Sequence, residues 1–182
     1  QMCIRDSRGC GRSSGEQETW HLDQWADDLA LFCKMLGIDT PLVFGQSFGG
    51  MVAMHFAARN PSGLSKLILS STAAQFRLDE TVKIMRKLGG ERAAEVSHQF
   101  FCNPSKGAYD TYGEVCLPLY SNPIASEANA FRERAIERPE VAIHFFASEM
   151  ASMDMRAEIA NITCPTLVIG GTLDPVTPTL CS

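Results

Sequence analysis

Apolar residues recur every three or four positions at Leu22, Trp25, Ala26, Leu29, Phe32, Cys33 and Leu36, with Asp23, Asp27, Asp28 and Lys34 between them. That spacing gathers them on one stripe of an amphipathic helix, which Gly37 ends. Beyond the polar pair Asp39-Thr40, the run Leu42-Val43-Phe44 is short and wholly apolar. It predicts a fully buried parallel strand. Gly50 to Ala58 is apolar almost throughout and closes at Arg59-Asn60-Pro61, where proline cannot continue a helix. KLILSS, residues 66 to 71, predicts the next strand. Strand, helix and strand with short links make the βαβ unit of a parallel sheet.

The pattern changes after Ser71. Residues 76 to 160 are rich in charge, Met, Ala and aromatic residues at helical spacing and contain no convincing strand. Gly89-Gly90, Asn103-Pro104-Ser105, Ser121-Asn122-Pro123 and Arg138-Pro139 divide this stretch into successive helices. CPTLVIGG, residues 164 to 171, restores strand texture between a proline and two glycines. The expected architecture is α/β, a mainly parallel sheet interrupted by a helical insertion. Its parts are a partial core over 1–75, a helical cap over 76–160 and a return to the core over 161–182.

Composition narrows the partners. With 45% hydrophobic and 20% charged residues, 182 residues suffice for a real core. A formal net charge of -5 with scattered basic residues leaves no electrostatic stripe for nucleic acid. No apolar run is long enough to cross a bilayer, and the first residues lack a signal-like apolar core, so a cytoplasmic location away from membranes is expected. The seven cysteines are odd in number and far apart, with no C-x-x-C pair and no zinc-ligand spacing to a histidine. Free thiols are expected, most of them packed as small apolar groups, with no metal and no cofactor.

The stretch VFGQSFGGMVAM, residues 43 to 54, carries the chemistry. A strand that turns sharply into a helix lifts the turn residue clear of the sheet at the helix's positive end. Gly45-Gln46-Ser47-Phe48-Gly49 fits the G-x-S-x-G elbow, with glycines where backbones come too close for side chains. Ser47 is the candidate nucleophile, and the Phe48 N–H would face the oxyanion of a tetrahedral intermediate. A glycine-rich structural turn whose serine caps the helix is the competing reading. A serine hydroxyl needs a base, and the base an orienting carboxylate. Asp174 lies in the loop after TLVIGG, where open α/β sheets build their sites, although Asp-Pro also opens ordinary turns. In the order Ser, acid, His, the base should follow Asp174, yet His21, His55, His98 and His144 all precede it.

On these residues the chain resembles the α/β-hydrolase superfamily, and within it the proline iminopeptidase type. DSRGCGRS (Asp6 to Ser13), LDQWADDL, GQSFGG and CPTLVIGGTLDPVTP carry the likeness, joined by LSSTAAQF and VCLPLYS. The opening QMCIRDS also resembles a translated adaptor sequence, which would leave Arg8 to Ser13 as the native part of that turn. The likeness implies a partial hydrolase fold lacking both ends, without a His-Gly-Gly-type oxyanion loop upstream or a histidine downstream. For the parent protein it implies a serine hydrolase, with no cofactor, that removes an N-terminal residue from small peptides through an acyl-enzyme. The fragment itself should be inactive. A carboxylesterase or lactonase using the same serine, or a non-catalytic hydrolase-like fragment, is the alternative. An aminopeptidase must recognise a free amine, so acidic residues of the cap are required: Glu149 first, then Glu114 and Glu127, with Gln46 beside the nucleophile as a further substrate contact. Solvated helix-face carboxylates are the competing reading of each. The apolar cap residues Phe145, Phe146, Met150, Met153 and Met155 wall a pocket or pack cap against core.

Overall fold

The computed structural model describes residues 3–120 and 134–178. The chain divides into two compact units, one of residues 21–77 and 152–182, the other of residues 1–20 and 78–151.

The first unit is built on a parallel sheet of β1 (Leu42–Gln46), β2 (Lys66–Ser70) and β3 (Thr166–Ile169), in that order. Gln46 pairs with Ser70 and Ser70 with Ile169, so the three strands end level with one another. Two helices, α1 (Leu22–Met35) and α2 (Phe48–Arg59), complete the βαβ arrangement. Helix α1 starts at His21, whose ring accepts the Gln24 N–H at 3.2 Å. It stops in a left-handed glycine: Gly37 has φ 65°, Gly37 N–H bonds Lys34 C=O and Ile38 N–H bonds Cys33 C=O, the paired bonds of a Schellman ending. Trp25, fully buried, meets Phe48 edge-on at 4.7 Å and so ties α1 to the start of α2. Burial of a side chain of this kind contributes about 1.5–3 kcal/mol.

The strands are buried on one side only, which corrects the expectation of a fully buried β1. Val43 and Gly45 are buried, while Leu42, Phe44 and Gln46 between them are exposed. In β2 Leu67 and Leu69 are buried, and β3 is exposed along its length. Among the described residues α2 packs on β1 and β2, and an apolar row of Leu42, Phe44, Leu167 and Ile169 stays uncovered.

Behind the sheet, His55 of α2 joins two elements. Its Nε2 lies 2.8 Å from Asp23 Oδ1 on α1 and its Nδ1 2.9 Å from Glu158 Oε2. Carboxylates only accept, so in either contact the proton belongs to the ring. The hydrogen bond from His55 holds the Asp23 carboxyl below the usual carboxylate range, with Arg59 adding to it. Residues 152 to 158 return beside the end of β2: Met155 N–H bonds Ala74 C=O at 2.8 Å, and Gln75 and Asp154 form an antiparallel bridge. Hydrogen bonds from Arg156 pull the Asp154 carboxyl down to about 2.

The second unit is mainly helical. Helix α3 (Leu78–Cys102) is broken at Gly90, which has φ 74° and ψ -168°, as the glycine pair predicts. Ser105 caps α4 (Lys106–Val115), and Pro139 opens α5 (Pro139–Ser148). The Ser121-Asn122-Pro123 break lies outside the described residues. Phe100 of α3 is the hub of the core, 4.8 Å from the Tyr112 ring and 5.1 Å from the Phe146 ring. The turn over Asp6 to Ser13 is closed by Asp6 itself: its carboxylate accepts Arg12 N–H at 3.0 Å and its carbonyl accepts the Ser13 hydroxyl at 2.8 Å. Asp6 is therefore a working part of the turn and not merely an adjoining residue.

All six described cysteines are free, but only Cys33 and Cys116 are buried; Cys3 and Cys102 are exposed, and Cys10 and Cys164 half-buried. Packing as apolar groups thus holds for a minority of them, because the others fall on turns and on the outer face of α3. Burial pushes the Cys116 thiol up to about 11.

Candidate functional site

β1 ends at Gln46 and α2 begins at Phe48, so Ser47 alone makes the turn. Its backbone takes φ 50° and ψ -122°, a conformation that side-chain-bearing residues rarely adopt. The surroundings enforce it. Ser47 N–H bonds Ser70 C=O at 3.0 Å, continuing the β1–β2 ladder one step past the strand, and Ser47 C=O accepts Gly50 N–H at 2.9 Å. Strand and helix meet so closely that a Cβ on Gly45 would lie 2.5 Å from Gly49 O and 2.8 Å from Ala53 Cβ. Gly50 is equally constrained, by the Thr72 side chain at 2.6 Å. Gly49 is not: a Cβ there meets nothing within 4 Å outside its own helix and neighbours. The glycine requirement therefore falls on positions 45 and 50 and not on position 49.

Ser47 is exposed, and although it occupies the cap position of α2 its side chain makes no capping hydrogen bond. The hydroxyl is thus left out of the helix's own hydrogen bonding, contrary to the reading of a merely capping serine. Phe48 opens the helix, where the intrahelical ladder has not yet begun.

Asp174 follows β3 and is half-buried. Its carboxylate organises its own loop: Oδ1 accepts Val176 N–H at 3.0 Å and Thr177 N–H at 2.8 Å, and Oδ2 accepts the Thr177 hydroxyl at 3.0 Å. Ser47 and Asp174 both stand at the carboxyl edge of the sheet, one strand apart, with β2 between. Two strand spacings separate the ends of β1 and β3 by about 10 Å. Gln46, exposed, ends β1 next to Ser47.

The other candidates belong to other elements. Glu149 is half-buried at the end of α5 and Glu114 exposed on α4, both in the helical unit. Glu127 lies outside the described residues. His21 caps α1 and His55 bridges carboxylates, so both histidines of the sheet unit have structural partners. His144 contacts Gln17 at 3.2 Å, and His98 contacts Cys102 on the next turn of α3.

Three residues of this edge escaped the sequence reading. Thr72, buried, donates its hydroxyl to Ser47 C=O at 2.8 Å. Ser71, with φ 44°, is the other strained non-glycine of the described chain and follows β2, the strand between those that lead to the two candidates. Thr177 holds Asp174, and an Asp followed three residues later by Thr was a legible signal for it. Nothing local in LSSTAAQF marks Thr72, whose partner is 25 positions away.

A parallel sheet with a strained serine between strand and helix, and an acidic loop two strands along, defines an α/β-hydrolase fold, here in part. Comparison with known proteins agrees. The Bacillus anthracis protein described as an α/β fold family hydrolase superposes with a TM-score of 0.71 at 18% identity, over 97% of this chain and 66% of that one. The model of the family described as serine aminopeptidase, S33, matches residues 1–181, and the chain belongs to that family. It is similar to the proline iminopeptidase of Clostridium botulinum, at 28% identity over 97% of this chain. It is also similar in fold to the proline iminopeptidase of Mycobacterium smegmatis, with a TM-score of 0.64 at 21% identity over 93% of this chain and 63% of that one. The chain spans 66% of the length of the Clostridium botulinum protein. No helix of the described residues is long and apolar enough to cross a membrane.

Proposed function

We propose that these residues form the nucleophile and acid region of a serine hydrolase that releases an N-terminal residue, in the manner of a proline iminopeptidase, from short peptides. The observation that carries the reading is Ser47: strained, exposed and without a capping bond, at the sheet edge it shares with Asp174. In this reaction Ser47 Oγ attacks the scissile carbonyl carbon while a histidine takes its proton. The Phe48 N–H stabilises the resulting oxyanion, and Asp174 orients the imidazole. Collapse of the intermediate breaks the C–N bond as the histidine returns the proton to the leaving amine, and water then hydrolyses the acyl-enzyme. An imidazole hydrogen-bonded at both nitrogens would reach Ser47 on one side and Asp174 on the other from the loops that follow β1 and β3. In the chain order of the α/β-hydrolase fold that histidine follows Asp174, and residues 175 to 182 contain none.

The substrate's free amine calls for a carboxylate, the role we assign to Glu149, with Glu114 and Glu127 as further candidates and Gln46 as a contact beside the nucleophile. No metal or cofactor takes part in this scheme, and the expected location is the cytoplasm.

The test uses protein expressed from the complete reading frame that encodes these residues. It should hydrolyse L-proline p-nitroanilide, and Ser47→Ala should lower kcat by about 10⁴-fold or more. Blocking the amine of the substrate should abolish turnover, and Glu149→Gln should raise KM. Turnover of p-nitrophenyl acetate with none of the anilide would support an esterase instead. Full activity in Ser47→Ala would defeat the assignment.

A further inference from the structure

Thr72 carries an inference that rests on the assignment of Ser47 and Phe48 above and extends it. The Ser47 carbonyl and the Phe48 N–H belong to one peptide group, which is planar and trans, so they point in opposite directions and turn together. Whatever fixes the carbonyl aims the N–H. In this molecule the first turn of α2 does so from one side, with Gly50 and Met51 N–H on that carbonyl at 2.9 and 3.2 Å, and the end of β2 from the other. Ser70 C=O holds Ser47 N–H at 3.0 Å, and two residues later the Thr72 hydroxyl holds Ser47 C=O at 2.8 Å. Between them Ser71, at φ 44°, donates its N–H to Ile169 C=O at 2.8 Å, fastening the bracket to β3.

Thr72 is itself immobilised. It is 2% exposed, and its Cβ, Oγ1 and Cγ2 lie 2.6–2.7 Å from where a Cβ on Gly50 would stand. The helix start is thus seated on the threonine side chain. A serine at φ 50° gains nothing from its own backbone preference by staying there, so the surrounding bonds must over-determine it.

We propose that Thr72 is a positioning residue: its hydroxyl, through the Ser47 carbonyl, aims the Phe48 N–H at the oxyanion and so acts on the transition state while touching no substrate. Removing the hydroxyl leaves that carbonyl to the Gly50 and Met51 N–H groups alone, and the 47–48 peptide tilts toward them and away from the oxyanion. Loss of a whole oxyanion donor costs about 10²–10³-fold in kcat, and a misaimed donor should cost less, about 10- to 100-fold.

The experiment compares Thr72→Val, which keeps shape and loses the hydroxyl, with Thr72→Ser, which keeps the hydroxyl, in protein from the complete reading frame. Thr72→Val is expected to lower kcat about 10- to 100-fold with KM within about twofold, while Thr72→Ser stays within about threefold of the parent. A peptidyl boronic acid, whose tetrahedral adduct places an oxygen where the oxyanion develops, should lose affinity for Thr72→Val by about the same factor as kcat; a ground-state product should not. Should Thr72→Val fail to fold, Thr72→Cys, with its weak donor, is expected to fall well below Thr72→Ser in kcat at unchanged KM. An unchanged kcat in Thr72→Val, equal losses in the valine and serine variants, or a lowered kcat with unaltered boronate affinity would each overturn the proposal. Ser47→Ala separates the two levels: if it retains full turnover the nucleophile assignment fails first, and the role of Thr72 with it.

Discussion

At the scale of single residues, the elbow is a problem of space and backbone strain. Gly45 faces Gly49 O and Ala53 across a gap that admits no methyl group, so Gly45→Ala should destabilise the protein by about 1–3 kcal/mol, measured by urea unfolding. Gly49→Ala makes the contrasting prediction. With open space around it and a helical backbone, it should be neutral or stabilising by up to about 1 kcal/mol. The G-x-S-x-G pattern treats the two glycines alike, and only the packing separates them. Local sequence shows which residue turns the chain because the turn needs just its neighbours. It does not show Thr72, since a buried hydroxyl's partner is set by how β1 and β2 pair and not by the residues beside it.

Cysteine chemistry belongs to the same scale. The thiolate is the reactive form, and burial raises Cys116 to about 11. Iodoacetamide at pH 8 should therefore modify the exposed Cys3 and Cys102 well before Cys116, as read by peptide mass spectrometry. Early labelling of Cys116 would mean that the core around Tyr112 and Phe100 opens.

At the scale of elements, boundaries written in local chemistry were legible. Gly37 ends α1 through a left-handed turn, Pro61 follows the end of α2, Gly90 breaks α3, and Pro139 starts α5. What α1 and α2 do to each other was not legible. His55 reads as an ordinary helical residue until Asp23 and Glu158 close on its two nitrogens. This contact has a pH signature. The folded-state pKa of Asp23 lies below its unfolded value, so the stability it contributes is present above the ordinary carboxylate range and is lost as pH falls through the lowered folded value. His55→Ala should reduce stability at pH 7 and flatten its decline between about pH 5 and pH 3, measured by thermal melts across that range. An unchanged acid limb would show that Asp23 is held by Arg59 alone. Asp23 is largely exposed, so the effect should be modest and should shrink in high salt.

For the sheet unit as a whole, α2 packs on one face of the sheet, and among the described residues Phe44, at 59% exposure, lies open on the other beside Leu42, Leu167 and Ile169. The apolar run at Leu42-Val43-Phe44 made that strand look fully buried because sequence reports apolarity on both faces and cannot say which face is covered. An exposed apolar row of this kind attracts hydrophobic partners. The 182-residue chain should accordingly bind 1-anilinonaphthalene-8-sulfonate strongly, and Phe44→Ser should reduce the bound-dye fluorescence. Among the described residues β3 is also an edge strand, paired with β2 on one side only, which favours association between copies as concentration rises.

A nucleophilic Ser47 hydroxyl is what a hydrolase of this kind needs first. Labelling protein from the complete reading frame with a fluorophosphonate, followed by peptide mass spectrometry, tests this directly. One covalent phosphonyl adduct is expected, on the peptide that carries Ser47, absent in Ser47→Ala and slowed in Asp174→Asn. An adduct on a different residue, or hydrolytic activity that survives with Ser47 unmodified, would contradict it.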